Sequence, residues 1–323
     1  MHHRKDMSMN ANTPATHIIV TEVGTRDGFQ AEPIFIPTER KVDVINGLID
    51  AGVQSFETTS FVSPRAVPQM ADAMQVMAQV QRKPGVRLTG LVPNARGAER
   101  AAAAQVDMMA CFVSASETHC QANLNKSQAD ALADVHEFTP IARQFNIPVR
   151  GAVATAFGCP FEGEVSTQSV LDVIASYHAA GIRHVSLGDT TGMATPPVVR
   201  RTVKAIQQQF PDVLIALHFH NTRGIGLANV MAGLELGVVE YESSIGGLGG
   251  CPFAPGATGN ICTEDLIYLL HECGFHTGID LEAVAAVARN VQDWMGKPLP
   301  GQYMKSGPRL KQSDLASVRR AVG

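Results

Sequence analysis

The feature that most constrains the fold of this chain is an alternation of short apolar runs with longer helix-like segments, repeated eight times. Each run is rich in Val, Ile, Leu or Ala and precedes a polar or glycine-containing turn, as strands buried on both faces do. The predicted strands are His17–Glu22, Ser55–Phe61, Arg87–Leu91, Met108–Val113, Val149–Thr155, His184–Leu187, Leu214–His218 and Val238–Ser243. Eight βα units predict a closed (β/α)8 TIM barrel. An open doubly wound sheet is the alternative, but no GxGxxG motif follows the first strand.

Amphipathic segments lie between the runs and predict the helices of the barrel. They are Glu39–Ala51, Pro68–Gln81, Ala95–Gln105, Gln128–Phe145, Gln168–Ala180, Pro197–Phe210, Ile225–Gly237 and Ile261–Cys273. Residues of the N-cap type precede four of them, namely Thr38, Ser127, Thr167 and Thr195. Glycines that fit a left-handed helix end close three of them, namely Gly52, Gly181 and Gly237.

The length of 323 residues is ordinary for one such barrel, and 45% hydrophobic residues suffice for a large core. We expect the barrel to occupy residues 17–275. Residues 276–323 form a C-terminal extension with a helix over Leu281–Met295 and a tail. Residues 1–16 are polar and lack the apolar core of a secretion signal, so they predict a disordered leader.

Composition excludes several function classes. The net charge is −4 and there is no basic cluster along the sequence, which argues against nucleic acid as the main partner. No window approaches the roughly 20 apolar residues that span a membrane. The six cysteines form no CxxC pair, which is typical of reduced thiols and predicts a cytoplasmic protein.

Two histidines one residue apart end the seventh predicted strand. Side chains alternate along a strand, so His218 and His220 face the same way and can hold one metal ion. Asp27 follows the first strand and Asn260 follows the eighth, and these strand ends meet at one face of a barrel. This mixed oxygen and nitrogen set favours Mg²⁺ or Mn²⁺, with Zn²⁺ and Co²⁺ as alternatives. Structural or surface histidines are the other interpretation of the pair.

Further polar residues stand at the same predicted strand ends. Arg26 can stabilise an oxygen that gains negative charge, or it can form a salt bridge with a carboxylate such as Glu57. Glu57 and Asp189 are candidate acid–base groups. Cys251 lies in a glycine-rich loop that could carry its thiol over a substrate, or it could only fill space. Glu264 follows Asn260 by four residues and either supports the site or complements a helix dipole.

At these positions the chain resembles the 3-hydroxy-3-methylglutaryl-CoA lyases, a branch of the metal-dependent barrel lyases and Claisen-type condensing enzymes. The segments that carry the resemblance are Glu22–Gly28, Thr59–Pro64, Val67–Asp72, Gly188–Gly192, His218–His220, Gly247–Phe253 and Gly259–Asn260. The cysteine-containing segment is the most specific of them.

The resemblance implies specific roles. Asp27, His218, His220 and Asn260 would be the metal ligands; Arg26 would stabilise the enolate of acetyl-CoA. Cys251 would be a catalytic thiol, with Asp189 and Glu57 as supporting acid–base groups and Glu264 near Asn260. The chain departs from the family pattern at four positions that concern contacts to CoA and the acyl group, namely Pro33, Asn221, Arg223 and Pro255.

These observations predict an enzyme that cleaves 3-hydroxy-3-methylglutaryl-CoA to acetyl-CoA and acetoacetate by a retro-Claisen or retro-aldol mechanism. Its cofactor would be a divalent metal, its partner an acyl-CoA substrate, and its assembly a homodimer. Two alternatives stay open at this point. One is a sister lyase or aldolase for another 3-hydroxyacyl-CoA or hydroxy acid, for example a citramalyl-type substrate. The other is a barrel that binds a metal or CoA without catalysis.

Overall fold

A computed structural model describes residues 16–250 and 259–312 of the chain. Eight parallel strands pair in sequence order, and β1 pairs with β8 to close the barrel, with Ile19 opposite Glu240. The strands are β1 (Ile19–Glu22), β2 (Ser55–Ser60), β3 (Arg87–Leu91), β4 (Met108–Ser114), β5 (Val149–Ala154), β6 (His184–Asp189), β7 (Leu214–Phe219) and β8 (Glu240–Ser243). The predicted (β/α)8 barrel is therefore confirmed, and the open-sheet alternative is wrong.

Helices surround the barrel and cover its strands. Those in the described residues are α1 (Thr38–Asp50), α2 (Ala73–Gln79), α3 (Ala95–Ala103), α4 (Glu117–Leu124), α5 (Gln128–Gln144), α6 (Thr167–Ala179), α7 (Pro196–Gln209), α8 (Gly226–Leu234), α9 (Thr263–Glu272), α10 (Leu281–Met295) and α11 (Tyr303–Ser306). Helices α4 and α11 are not predicted from the sequence. Helix α4 buries only His119 and Cys120 and has no apolar stripe to reveal it.

The predicted helix ends are partly confirmed. Ser127 caps α5 by accepting the N–H of Asp130 at 3.1 Å. Thr195 occupies the N-cap position of α7 without a side-chain hydrogen bond. The prediction was wrong for Thr38 and Thr167, which are the first residues inside α1 and α6. The three glycines predicted to close helices all have positive φ angles, namely Gly52 at 96°, Gly181 at 88° and Gly237 at 75°.

The C-terminal extension packs on the barrel near the face that carries the strand ends. The helix predicted over Leu281–Met295 is confirmed, and its apolar face is buried. Trp294 packs edge-on against Phe29 with ring centroids 6.1 Å apart, and Lys297 Nζ lies 2.6 Å from Glu32 Oε2. Because Phe29 and Glu32 follow β1 closely, the extension fixes the segment next to the first strand end. Within the described ranges, no helix is long and apolar enough to cross a membrane.

Candidate active site

Arg26 and Asp27 lie on a single π-helical turn, Gly24–Gly28, directly after β1. The carbonyl of Val23 accepts the N–H of Asp27 at 2.7 Å and that of Gly28 at 3.4 Å, and the bond from Gly28 closes the π turn. A side chain at Gly24 would place its Cβ 2.5 Å from Glu22 Oε1, so the turn requires glycine there. Turns of this kind are rare and concentrate at functional sites. This one points two neighbouring charged side chains into the mouth of the barrel.

Asp27, His218 and His220 each offer one ligand atom, and these atoms all lie within 4.8 Å of one another. The Nε2 atoms of the two histidines are 3.2 Å apart, and His220 Nε2 is 4.0 Å from Asp27 Oδ2. The same-face arrangement of the two histidines, predicted from strand alternation, is therefore present. Residues from β1 and β7 meet here although nearly two hundred positions separate them in the sequence.

Asn260 joins this group because the chain returns to the end of β7. Ile261 donates its N–H to the carbonyl of Phe219 at 3.0 Å, which lays Asn260 beside His220. The amide nitrogen of Asn260 donates to Asp27 Oδ2 at 2.8 Å. Its Oδ1 atom is buried and accepts no hydrogen bond from the described residues. A buried oxygen without a partner is costly unless a cation completes it, so the four residues fit a divalent metal.

Glu242 of β8 orients the first histidine. His218 Nδ1 lies 2.9 Å from Glu242 Oε2, and an Nδ1–H that donates to this carboxylate leaves the Nε2 lone pair for a metal. Burial alone would lower the pKa of His218, but the hydrogen bond and negative charge of Glu242 raise it above its ordinary value. Burial likewise opposes ionisation of Glu242, yet the charge of Arg150 keeps its pKa well below the usual range.

A buried network of charges continues from Arg26 into the barrel. Arg26 Nε lies 2.5 Å from Glu57 Oε1, and the other oxygen of Glu57 accepts a hydrogen bond from Arg150. Arg150 Nη1 is also 3.0 Å from Glu242 Oε1, and its side chain is 1% exposed. Both oxygens of Glu57 are therefore occupied by guanidinium groups. In this arrangement Glu57 holds Arg26 in position, as the salt-bridge interpretation anticipated.

Asp27 stays ionised despite its partial burial. Desolvation would raise its pKa, but the charges of Arg26, His218 and His220 outweigh it and lower the pKa to about 2. An ionised carboxylate beside two imidazoles is the form that binds metal, because ligands must be deprotonated.

Most of these residues line one cavity of about 210 Å³ at the carboxyl ends of the strands; Asn260 and Arg150 are not among its lining residues. Its wall includes Arg26, Asp27, Glu57 and both histidines. Apolar side chains from β3 and β4, Leu91 and Phe112, complete one side. Sites of barrel enzymes occupy this face.

Two predicted residues, Asp189 and Glu264, are not among the residues that line the cavity. Asp189 Oδ1 accepts the N–H groups of Met193 and Ala194 at 2.6 and 2.9 Å, so it holds the loop after β6. Burial raises the pKa of Asp189 to about 6. Glu264 Oε2 accepts the N–H of Gly246 at 3.0 Å, and burial raises its pKa to about 8.

Sequence reasoning missed several residues of the site. Glu22 accepts the N–H groups of Gly24 and Ile245 at 2.7 and 2.9 Å and the hydroxyl of Thr263 at 2.6 Å, so one carboxylate joins three loops. Arg150 and Glu242 were overlooked as well. Charged residues inside otherwise apolar strands are the signal that could have identified them, since such strands are buried on both faces. Gln30, His119 and Asn123 also line the cavity, and no pattern in the sequence marked them.

Two of the four departures from the family pattern, Arg223 and Asn221, have local contacts that explain them. Arg223 donates to the carbonyls of Thr191 and Gly192 at 3.2 and 2.7 Å, so it braces the loop after β6. Asn221 Oδ1 accepts the N–H of Gly226 at 3.1 Å at the start of α8. Pro33 is exposed. Cys251 and Pro255 lie outside the described residues.

Comparison with known proteins decides the family. The HMGL-like family model matches residues 17–291. The chain belongs to the HMGL-like family. It is 41% identical over 288 residues to hydroxymethylglutaryl-CoA lyase YngG of Bacillus subtilis, which covers 89% of this chain and 96% of that protein. It is also 41% identical to the human mitochondrial hydroxymethylglutaryl-CoA lyase over 263 residues, which is 81% of each chain.

Solved structures agree with this assignment. An HMG-CoA lyase from Acinetobacter baumannii, in complex with coenzyme A and 3-methylmalate, superposes with a TM-score of 0.88 at 41% identity, covering 93% of this chain and 98% of that one. The carboxyl transferase domain of Rhizobium etli pyruvate carboxylase shares only 17% identity at a TM-score of 0.69, covering 93% of this chain and 50% of that one, which shows a common fold. The HMGL-like family implies a divalent metal cation, in agreement with the donor set described above.

Proposed function

We propose that this chain is a metal-dependent carbon–carbon lyase that cleaves 3-hydroxy-3-methylglutaryl-CoA to acetyl-CoA and acetoacetate. The observation that carries the proposal is the convergence of Arg26, Asp27, His218 and His220 at one cavity, with Asn260 hydrogen-bonded to Asp27. Relatives named for this activity, at about 41% identity over most of the chain, support the same reaction. They do not favour the sister substrate considered as an alternative.

The metal would be held by Asp27, His218, His220 and Asn260. When bound, a divalent cation supplies the Lewis acidity that makes the 3-hydroxyl of the substrate easier to ionise. The oxygen-containing donor set favours Mg²⁺ or Mn²⁺. Asp27 is ionised at neutral pH, and we assign to it the removal of the hydroxyl proton.

Breaking the C2–C3 bond turns the 3-hydroxyl carbon into the ketone of acetoacetate and leaves the electron pair on the thioester as an enolate. Arg26 donates its guanidinium N–H groups to the enolate oxygen, and Glu57 and Asp27 hold that guanidinium in place. Protonation of C2 then gives acetyl-CoA. A thiol, for which Cys251 is our candidate, or a carboxylate supplies this proton. We keep Asp189, whose pKa burial raises to about 6, as a supporting acid–base group, and Glu264 supports the site by holding the backbone of Gly246.

Replacement of Arg26 by Met tests the assignment. Loss of a group that stabilises a developing oxyanion costs about 10²- to 10³-fold in kcat. The assay measures acetoacetate released from 3-hydroxy-3-methylglutaryl-CoA with Mg²⁺ or Mn²⁺. Arg201→Met, on the exposed face of α7, is the matched control and should keep full activity. Full activity in Arg26→Met would reject the enolate role, and an inactive wild type across 3-hydroxyacyl-CoA thioesters would reject the proposed function.

Two further assignments complete the proposal. We propose a homodimer, which sedimentation equilibrium tests directly. A cytoplasmic location is the second assignment; named relatives include a cytoplasmic lyase of Rattus norvegicus as well as the mitochondrial human protein.

A further inference from the structure

Three arginines surround a second cavity, of about 670 Å³, at the carboxyl ends of β2 and β3. Arg65 belongs to the loop after β2, and Arg96 and Arg100 belong to α3, which follows β3. The strand ends that carry the active site therefore also carry this cavity. We call the three residues and the space between them the arginine pocket.

The positive charge of the arginine pocket is not neutralised locally. No carboxylate is among its lining residues, and none of the three arginines forms a salt bridge with any described part of the chain. Arg65 and Arg96 are exposed, while the guanidinium of Arg100 lies 5.8 Å from the ring centre of Phe61. In a chain with net charge −4, three cations without an acidic partner form a distinct positive surface.

The backbone adds to this charge. Arg96 and Gly97, in the first turn of α3, line the pocket together with Asn94, which caps the helix by accepting the N–H of Gly97 at 3.0 Å. A helix N-terminus carries partial positive charge and favours anions. Guanidinium groups match phosphate oxygens in a bidentate geometry, so the chemistry of the pocket favours phosphate groups over other anions.

The arginine pocket opens close to the active-site cavity. Leu91 lines the active-site cavity and Pro93 lines the arginine pocket, and their Cα atoms can be at most about 7 Å apart. A CoA thioester carries its reactive carbonyl at one end and its phosphates at the other, joined by flexible pantetheine. A substrate whose thioester lies beside Arg26 can therefore extend its pantetheine arm across the edge between the two cavities. The exposed Pro33 supplies no cation where the family resemblance led us to expect one.

We propose that Arg65, Arg96 and Arg100 bind the phosphate groups of the CoA part of the substrate. This inference rests on the proposed function, since it assumes that the thioester carbonyl lies at Arg26. It assigns the recognition of CoA to the loops after β2 and β3 rather than to the loop after β1. Binding energy gained at a remote, unreacting group supports turnover at the reacting centre.

The test compares two substrates that share the acyl group, 3-hydroxy-3-methylglutaryl-CoA and 3-hydroxy-3-methylglutaryl-pantetheine, which lacks the phosphates. In the double variant Arg65→Ala/Arg96→Ala we expect kcat/KM for the CoA thioester to fall about 10- to 100-fold, since charge-assisted bonds to phosphate are lost. The value for the pantetheine thioester should stay within about twofold, because no remote phosphate contact exists to lose. The control Arg201→Ala removes an exposed arginine on α7 and should change neither value.

Equal losses with both thioesters would overturn the inference, because the variant would then act on the fold or the reacting centre. Unchanged values with both would overturn it as well. If the wild type cleaves neither thioester, the proposed function fails, but calorimetric titration with CoA alone still tests the pocket. In that experiment, weaker CoA binding by the double variant than by Arg201→Ala supports the inference, and equal binding overturns it. A smaller loss with dephospho-CoA than with CoA would support the 3′-phosphate as the group held.

Discussion

Replacement of Glu242 by Gln tests how the barrel interior prepares the metal site. Glu242 contacts the proposed metal ligand His218, whose Nδ1 lies 2.9 Å away. Gln keeps an acceptor of the same shape but loses the charge that favours a donating Nδ1–H and a basic Nε2. Partners of this kind typically control metal affinity by about 10- to 100-fold. A hydrogen bond to a charged group contributes about 1.5 to 3 kcal/mol, and we expect a loss of metal-binding free energy of the same order.

The assay is calorimetric titration of the metal-free protein with Mn²⁺. Glu240→Gln is the matched control: Glu240 lies two residues earlier in β8 on the same face and pairs with His184 instead of a proposed ligand. We expect Glu242→Gln to weaken Mn²⁺ binding about 10- to 100-fold and Glu240→Gln to leave it within about threefold. Unchanged Mn²⁺ affinity in Glu242→Gln, with the variant folded, would refute the reasoning. An equal loss in both variants would do the same.

Three further predictions concern stability. Arg150→Met removes one of the two guanidinium groups that hold Glu57 and the guanidinium that faces Glu242, so the free energy of unfolding in urea should fall by about 3 to 5 kcal/mol; adding Glu57→Gln should restore part of it, and strictly additive losses would contradict the network. Burial raises the pKa of Glu264 to about 8 from 4.5, so the folded state favours the protonated carboxyl. The contribution of this group to the free energy of unfolding is therefore complete below about pH 4.5 and is lost as the pH rises through about 8. Thermal unfolding of Glu264→Gln should therefore depend less on pH than that of the wild type over this range, and parallel pH profiles would argue against the raised pKa. Gly151→Ala places a Cβ 2.5 Å from the ring of Tyr177 and should cost about 1 to 3 kcal/mol in the same urea assay, whereas an unchanged midpoint would show that the ring can move.

The sequence by itself predicted the architecture because parallel strands and amphipathic helices have local patterns. All eight strands were located within two residues of each end, and the glycines that close three helices were correct. The pair His218 and His220 could also be assigned to one face from strand alternation alone. Helix caps were less certain, since Thr38 and Thr167 lie one position inside their helices and Pro37 and Ser166 precede them. A cap depends on which of two neighbouring residues leaves the helical conformation.

Tertiary structure determined which side chains of the site contact one another. Barrel closure brings β1 beside β8 and points strand residues at a shared interior. As a consequence, Glu57 binds two guanidinium groups, Asp189 contacts a loop, and Glu22 joins three loops. No local pattern encodes these contacts, because their partners are far apart in the chain and their geometry depends on strand register. The arginine pocket is of the same kind, since the loop after β2 and helix α3 together supply its charges. Sequence periodicity determines which elements form; only barrel closure determines which side chains meet.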